Sequence, residues 1–275
     1  AASNVLKKLT WSNIKATLKS YFDSVTTTLT NKTLSSPLFT GTIDGWISAG
    51  ETWTYASADD PTFTFTISGD KTSKYSAGMR IKLTQTTVKY FIITAVSYSS
   101  PNTTITVYGG TDYDLANATI TSPYYSTQKA PQGFPLNPDK WSVVVTYDGI
   151  SEQLNPTVFV WYNIGSVSLS VPIGIWDMFY KCEGHHYRTG VANYCSIYAT
   201  LSTSNNSQSD PDFTCHGFSN SVLNHSATLT ARKTIQVTSK KSFYLNFKTD
   251  QSETAGMNHY GNLTKTVISA TCAYL

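Results

Sequence analysis

The chain has 275 residues, 20 of them basic and 17 acidic, for a net charge of +3. Like charges gather only in pairs such as Lys7-Lys8 and Lys240-Lys241, so nucleic acid and anionic membrane surfaces are not expected partners. Charged residues make up only 13%, about half the usual share, and Thr, Ser, Asn and Tyr fill the gap, which suits both a polar, uncharged exterior and a strand-rich fold.

The first predicted element is a short amphipathic helix within residues 1–30. Trp11, Ile14, Leu18, Tyr21 and Val25 recur at alternating spacings of three and four, and Thr10 is placed to cap the start. Helices shorter than about 12–15 residues are marginal alone in water, so this seam is expected to bury itself against copies of the same helix, as a coiled coil, or against a larger body. Residues 31–45 form a Thr/Ser-rich neck too poor in apolar side chains to fold alone.

Residues 46–130 read as a small β-barrel. Thr62–Ile67 and Met79–Leu83 alternate apolar and polar, and Tyr90–Val96 and Thr104–Tyr108 flank a turn at Ser99-Ser100-Pro101-Asn102. The stretch has no His or Cys, and Asp59, Asp60, Asp112 and Asp114 fall at turn positions. Asp112-Tyr113-Asp114 is too short an oxygen series for a calcium loop. Residues 131–138 hold three prolines and a glycine together with Ala130, the composition of a stiff linker.

Residues 139–275 read as a jelly-roll-like β-sandwich, with strands expected near Trp141–Tyr147, Thr157–Tyr162, Val167–Val171, Ile175–Cys182, Asn193–Leu201, Ile235–Val237, Phe243–Phe247 and Val267–Tyr274. All four cysteines lie here. A hairpin pairing 175–182 with 193–201 would set Cys182 opposite Cys195, a candidate disulfide worth about 3 kcal/mol for so short a loop; reduced, buried thiols are the competing reading. Cys182, His185, His186, Cys195, Cys215 and His216 are also candidate zinc ligands, but their spacing lacks the two close pairs of a structural site, so no metal and no cofactor is expected. Between the two strands, His185, His186, Tyr187, Arg188, Asn193 and Tyr194 combine planar rings with hydrogen-bond donors, a mixture that stacks on sugar faces and reads hydroxyls. These six are the expected ligand-binding residues.

No catalytic residues are predicted. The chain has four Glu, none next to a second carboxylate as glycoside hydrolysis requires, and it lacks Gly-x-Ser-x-Gly, His-Glu-x-x-His and a phosphate-cradling glycine loop. Asp177 or Glu183 could still meet Asp210 or Asp212 in space. No run approaches the ~18 apolar residues of a membrane span, and the first residues lack the order of a secretion signal.

The run Leu9-Thr10-Trp11-Ser12-Asn13-Ile14 through Asp23, then Leu29 to Pro37 and Gly41-Thr42, resembles the amino-terminal segments of bacteriophage fibre and other virion-appendage proteins, over about residues 5–45. The resemblance implies a homotrimer docked on another virion protein through its N-terminus, with an intertwined neck and an outward-facing sandwich. The expected function is therefore a structural tail fibre or receptor-binding protein on the virion surface, assembled in the host cytoplasm and attaching to a host glycan. A head fibre or capsid decoration protein without specific ligand, and a surface-polysaccharide depolymerase, are the alternatives.

Overall fold

The structure, a computed structural model, describes residues 10–24, 44–189, 194–220, 224–251 and 254–274. Its contacts divide the chain into two units, 1–43 and 44–275. In the first, helix α1 runs Trp11–Ser24. Thr10 caps it, its Oγ1 accepting from the Asn13 amide at 3.3 Å while its carbonyl accepts from Ile14 at 3.1 Å. Of the predicted seam, Trp11, Leu18 and Tyr21 are exposed and Ile14 is half-buried. Val25 and the neck lie outside the described residues. Among the described residues no helix is long and apolar enough to cross a membrane.

The second unit begins with one antiparallel sheet. Its strands are β1 (Ile47–Ser48), β2 (Thr54–Asp59), β3 (Thr62–Ser68), β4 (Arg80–Gln85), β5 (Thr87–Ser99), β6 (Asn102–Tyr108) and β7 (Thr121–Ser126), in the order β1-β7-β4-β5-β6-β3-β2. Period-two alternation puts Phe63, Phe65 and Ile67 on one face with Ile81, Leu83, Ile105 and Val107, and Trp53 stacks on Phe65 at 4.6 Å. The expected barrel does not close. β1 has only two residues and pairs only β7, and β2 pairs only β3, so the sheet ends in two edges.

The rest is a two-sheet sandwich. Its strands are β8 (Ser142–Tyr147), β9 (Ile150–Leu154), β10 (Ser168–Val171), β11 (Gly174–Arg188), β12 (Cys195–Ser202), β13 (Thr214–Ser219), β14 (Asn224–Val237), β15 (Lys241–Lys248), β16 (Thr254–Tyr260) and β17 (Thr266–Tyr274). The small sheet has the order β10-β15-β12-β13; the large one has the order β8-β17-β11-β16-β9, with β14 also on β11. β11 is the spine. One edge pairs β14 from Gly174↔Val237 to Tyr187↔Asn224; the other is shared by β17, opposite Ile175–Lys181, and β16, opposite Gly184–Arg188. Along β11, Trp176, Met178, Tyr180, Cys182, Gly184, His186 and Arg188 turn inward and are buried. Glycines let the sheets approach there: a Cβ at Gly184 would sit 2.8 Å from Ile197 Cδ1, and one at Gly217 2.5 Å from Ala227 Cβ.

Three local expectations change. β11 and β12 belong to different sheets, β12 pairing β13 and β15 instead, so the hairpin register and its Cys182–Cys195 disulfide are not formed. Cys182 is a free, fully buried thiol whose Sγ–H points to the Leu229 carbonyl at 3.7 Å. Residues 157–162 form a loop and not a strand: Asn155 and Phe159 adopt positive φ, and Tyr162 makes a single bridge to Phe247. The Pro-rich stretch is not a spacer either: one face of the first sheet keeps its own apolar cluster, but the other packs against the sandwich. Phe134 is buried and stacks on Trp141 at 5.1 Å, Trp141 Nε1 donates to the Pro135 carbonyl at 2.8 Å, and Tyr108 of β6 meets Trp176 of β11 edge-on at 5.6 Å. Trp46, Ile92 and Tyr108 thereby join one continuous core with the sandwich. Each large side chain so buried contributes about 1.5–3 kcal/mol.

Candidate binding face on the large sheet

The six predicted ligand residues are dealt to different places by the strand period. Glu183 to Arg188 continue β11 where a loop was expected, so successive side chains alternate faces. His185 and Tyr187 point to the outer face of the large sheet; His186 and Arg188 point between the sheets. Tyr194 lies beside the small sheet, 36% exposed and 5.2 Å from the Phe218 ring. Asn193 lies outside the described residues.

On the outer face, His185 and Tyr187 join residues the sequence did not single out. The rings of Tyr187, His185 and Tyr260 form a row, with centroids 5.7 Å apart for the first pair, nearly parallel, and 5.3 Å for the second. Tyr187 lies flat over Gly256, where a Cβ would come within 2.6 Å of its ring; the glycine gives the ring its seat. The Tyr187 hydroxyl donates to Glu152 Oε1. The Asn258 amide is oriented by both neighbours, Nδ2 donating to Glu152 Oε1 at 3.1 Å and Oδ1 accepting from the Tyr260 hydroxyl at 2.8 Å. These contacts follow from register, since β9 places Glu152 opposite Asn258 and β16 places Asn258 opposite His185.

The electrostatics favour the uncharged forms of His185 and Tyr187 at neutral pH. Burial, helped by the nearby His225, lowers His185 below the usual imidazole range. The hydrogen bond to Glu152 holds the Tyr187 hydroxyl protonated by raising it. The result is a strip of aromatic faces beside an exposed carboxylate acceptor, apolar and hydrogen-bonding at once.

Between the sheets, His186 is fully buried, with Nε2 2.8 Å from Thr254 Oγ1, and it faces His225 across the β11–β14 ladder. Arg188 Nη1 donates to Gln251 Oε1 and to the Tyr194 carbonyl. Asp250 accepts from Ser196, from Tyr198 at 2.9 Å and from Gln251 at 2.7 Å. Burial, reinforced by Arg188, drives His186 down to about 4. His186 and Arg188 are thereby closed to a ligand, whereas Asp250 and Tyr198 are half-buried on the outer side of the small sheet.

The candidate zinc ligands are scattered: Cys182 is interior, His185 is on the outer face of the large sheet, and His216 is exposed on the small sheet, where it stacks on Tyr198 at 4.2 Å. Among the described residues no three His, Cys, Asp or Glu gather as a metal site. Of the carboxylates considered for catalysis, Asp177 pairs with Arg232, and Asp210 and Asp212 with Lys233. Glu152, Asn258 and Tyr260 escaped the sequence reading. The available signal was the alternation of Ile150, Glu152 and Leu154, which puts all three on the outer face.

No protein-family model and no curated protein matches the chain. Among solved structures it is similar to dimeric latent PorU from Porphyromonas gingivalis, at 7% identity and a TM-score of 0.30, covering 82% of this chain and 24% of that one. It is also similar to the structure of the Gx strain of infectious bursal disease virus, at 13% identity and a TM-score of 0.25, with 83% and 64% covered. For the VP2 subviral particle of the same virus the figures are 14%, 0.22, 81% and 62%. The chain thus spans about a quarter of the first and less than two thirds of the viral chains, and similarity at this level assigns no family.

Proposed function

We propose that the protein is a non-enzymatic structural component of a virion that attaches the particle to a surface glycan through the outer face of its large sheet. The observation that carries the reading is the row Tyr187, His185 and Tyr260 lying beside Glu152 and Asn258: ring faces to cover the C–H side of a sugar, and a carboxylate and an amide for its hydroxyls. The virion assignment rests on the fibre-like N-terminal segment. The exposed Trp11, Leu18 and Tyr21 on α1 support a homotrimer built through that helix, and the same end of the chain meets another virion protein. Joining three weak sites raises avidity by about 10²–10⁴ where geometry permits.

The test is binding of the full-length chain to an array of bacterial surface polysaccharides. Tyr187→Ala should abolish capture and leave the melting temperature unchanged; undiminished capture would remove this face from the account. Release of reducing ends from a captured polysaccharide would establish a depolymerase instead.

A further inference from the structure

Next to the ring row is a polar cleft of about 550 Å³, formed where edge strand β9 meets the turn at 162–166, with Asn206 at its rim. This size lies within the ~300–1,000 Å³ of small-ligand sites. Glu152 belongs to both features: it lines the cleft and accepts from Tyr187. The cleft wall is unusually well fixed. Ser166 and Asn206 adopt positive φ, as does Gly165, a conformation that costs a non-glycine residue energy and persists only where the surroundings enforce it. Here they do: the Asn163 amide donates to Asn206 Oδ1 at 2.7 Å, the Asn206 amide donates to Asn246 Oδ1 at 3.2 Å, and Asn163 Nδ2 donates to the Val167 carbonyl at 3.2 Å. Beneath the turn, fully buried His259 holds the Ile164 carbonyl through Nδ1 at 2.9 Å.

The lining also has a definite chemistry. Gln153, Ser166 and Asn206 present amides and a hydroxyl, Tyr162 adds a ring, and no Lys or Arg is among the lining residues. The one charge is the Glu152 carboxylate, whose Oε2 has no hydrogen-bond partner among the described residues. Neutral hydroxyls suit this lining. A carboxylated or sulfated sugar would meet Glu152 with nothing to offset the repulsion.

Building on the glycan reading above, we infer that the cleft is a second subsite for an uncharged pyranose, so that the face takes a neutral oligosaccharide of two or more units, one in the cleft and the next over the rings, with Glu152 between them. The same geometry makes the face selective against uronates and sialylated chains.

Calorimetric titration of the full-length protein with mannotriose, cellotriose, chitotriose and trigalacturonate tests this. Two cleft variants are paired with Tyr187→Ala: Gln153→Ala, whose side chain otherwise bonds, among the described residues, its neighbour's carbonyl alone, and Ser166→Asn, which adds bulk while tolerating the positive φ. A neutral triose should bind and trigalacturonate should not, and each cleft variant should weaken the triose about fivefold or more, the value of one lost hydrogen bond. Triose affinity unchanged in both cleft variants but lost in Tyr187→Ala would refute the subsite and leave the ring face standing. Loss in the cleft variants alone would refute the ring face. Preference for trigalacturonate would overturn the charge argument, and the absence of binding by every neutral triose would overturn both readings.

Discussion

Acidification from pH 6.5 toward 4 should loosen the sandwich. His186 and His259 are both fully buried, one between the sheets and the other beneath the 162–166 turn, its Nδ1 on the Ile164 carbonyl and its Nε2 2.6 Å from Thr266 Oγ1. Burial is the leading cause in each case and drives both from 6.5 down to about 4. Arg188, His185 and His225 add to the effect at His186, Asp250 opposes it, and at His259 the Ile164 carbonyl opposes it. Both rings are neutral when folded and titrate near 6.5 when unfolded, so their stabilisation is complete above that pH and is lost as pH falls toward 4. The drop corresponds to about 3 kcal/mol per ring when complete, and to about 2 kcal/mol each at pH 5. Together that is about 4 kcal/mol out of the ~5–15 kcal/mol that typically holds a domain. Urea unfolding followed by tryptophan fluorescence at pH 8, 6.5, 5.5 and 5 would read this directly. The midpoint should fall steadily below pH 6.5, and the slope should flatten in a His186→Asn, His259→Asn double variant even if that variant is less stable throughout. A midpoint unchanged from pH 8 to pH 5 would refute the burial argument.

Other consequences can be checked separately. Gly256→Ala should push Tyr187 off its seat, because the new methyl would lie 2.6 Å from the ring; glycan affinity should fall about tenfold or more, with a stability loss of about 1–3 kcal/mol read by thermal melting. Trp176→Ala removes the indole that is edge-on to Tyr108 and donates to the Pro172 carbonyl at 3.0 Å. It should cost about 3–5 kcal/mol and lower a single unfolding transition for residues 44–275, whereas two separate transitions in the wild-type protein would contradict the shared core. Cys182, buried and with its thiol pushed well up by burial, should resist iodoacetamide in the native protein and react in urea, as peptide mass mapping would show.

How much of this was legible in the sequence depended on the range of the forces involved. Helix α1 and its Thr10 cap are local and were read correctly, as were strands with a clean apolar face, such as Phe243, Leu245 and Phe247 in β15. Pairing was not legible. β11 appeared to stop at Cys182 because its next inward residues are Gly184, His186 and Arg188, and none of these looks like core until a partner sheet and a hydrogen-bond network surround it. β14 was seen only at Ile235–Val237, since most of its inward positions before Ile235 are the small or polar Ala227, Ala231, His225 and Lys233, with Leu229 as the one large apolar side chain among them. The three prolines near residue 135 announced a linker, while the two aromatics beside them, Phe134 and Trp141, set the packing. The candidate face was half legible for the same reason. Tyr187 and His185 were visible as rings close in sequence, but Glu152, Asn258 and Tyr260 reach them only through the register of β9 and β16.

The most direct test of the central claim is hydrogen exchange of the full-length protein with and without a captured polysaccharide. The account predicts ligand-induced protection in peptides covering 150–154, 184–188 and 256–260, where β9, β11 and β16 lie side by side. Protection confined to 194–198 and 214–218, around Tyr194, Tyr198, His216 and Phe218 on the small sheet, would place the binding surface on the opposite side of the sandwich and contradict it.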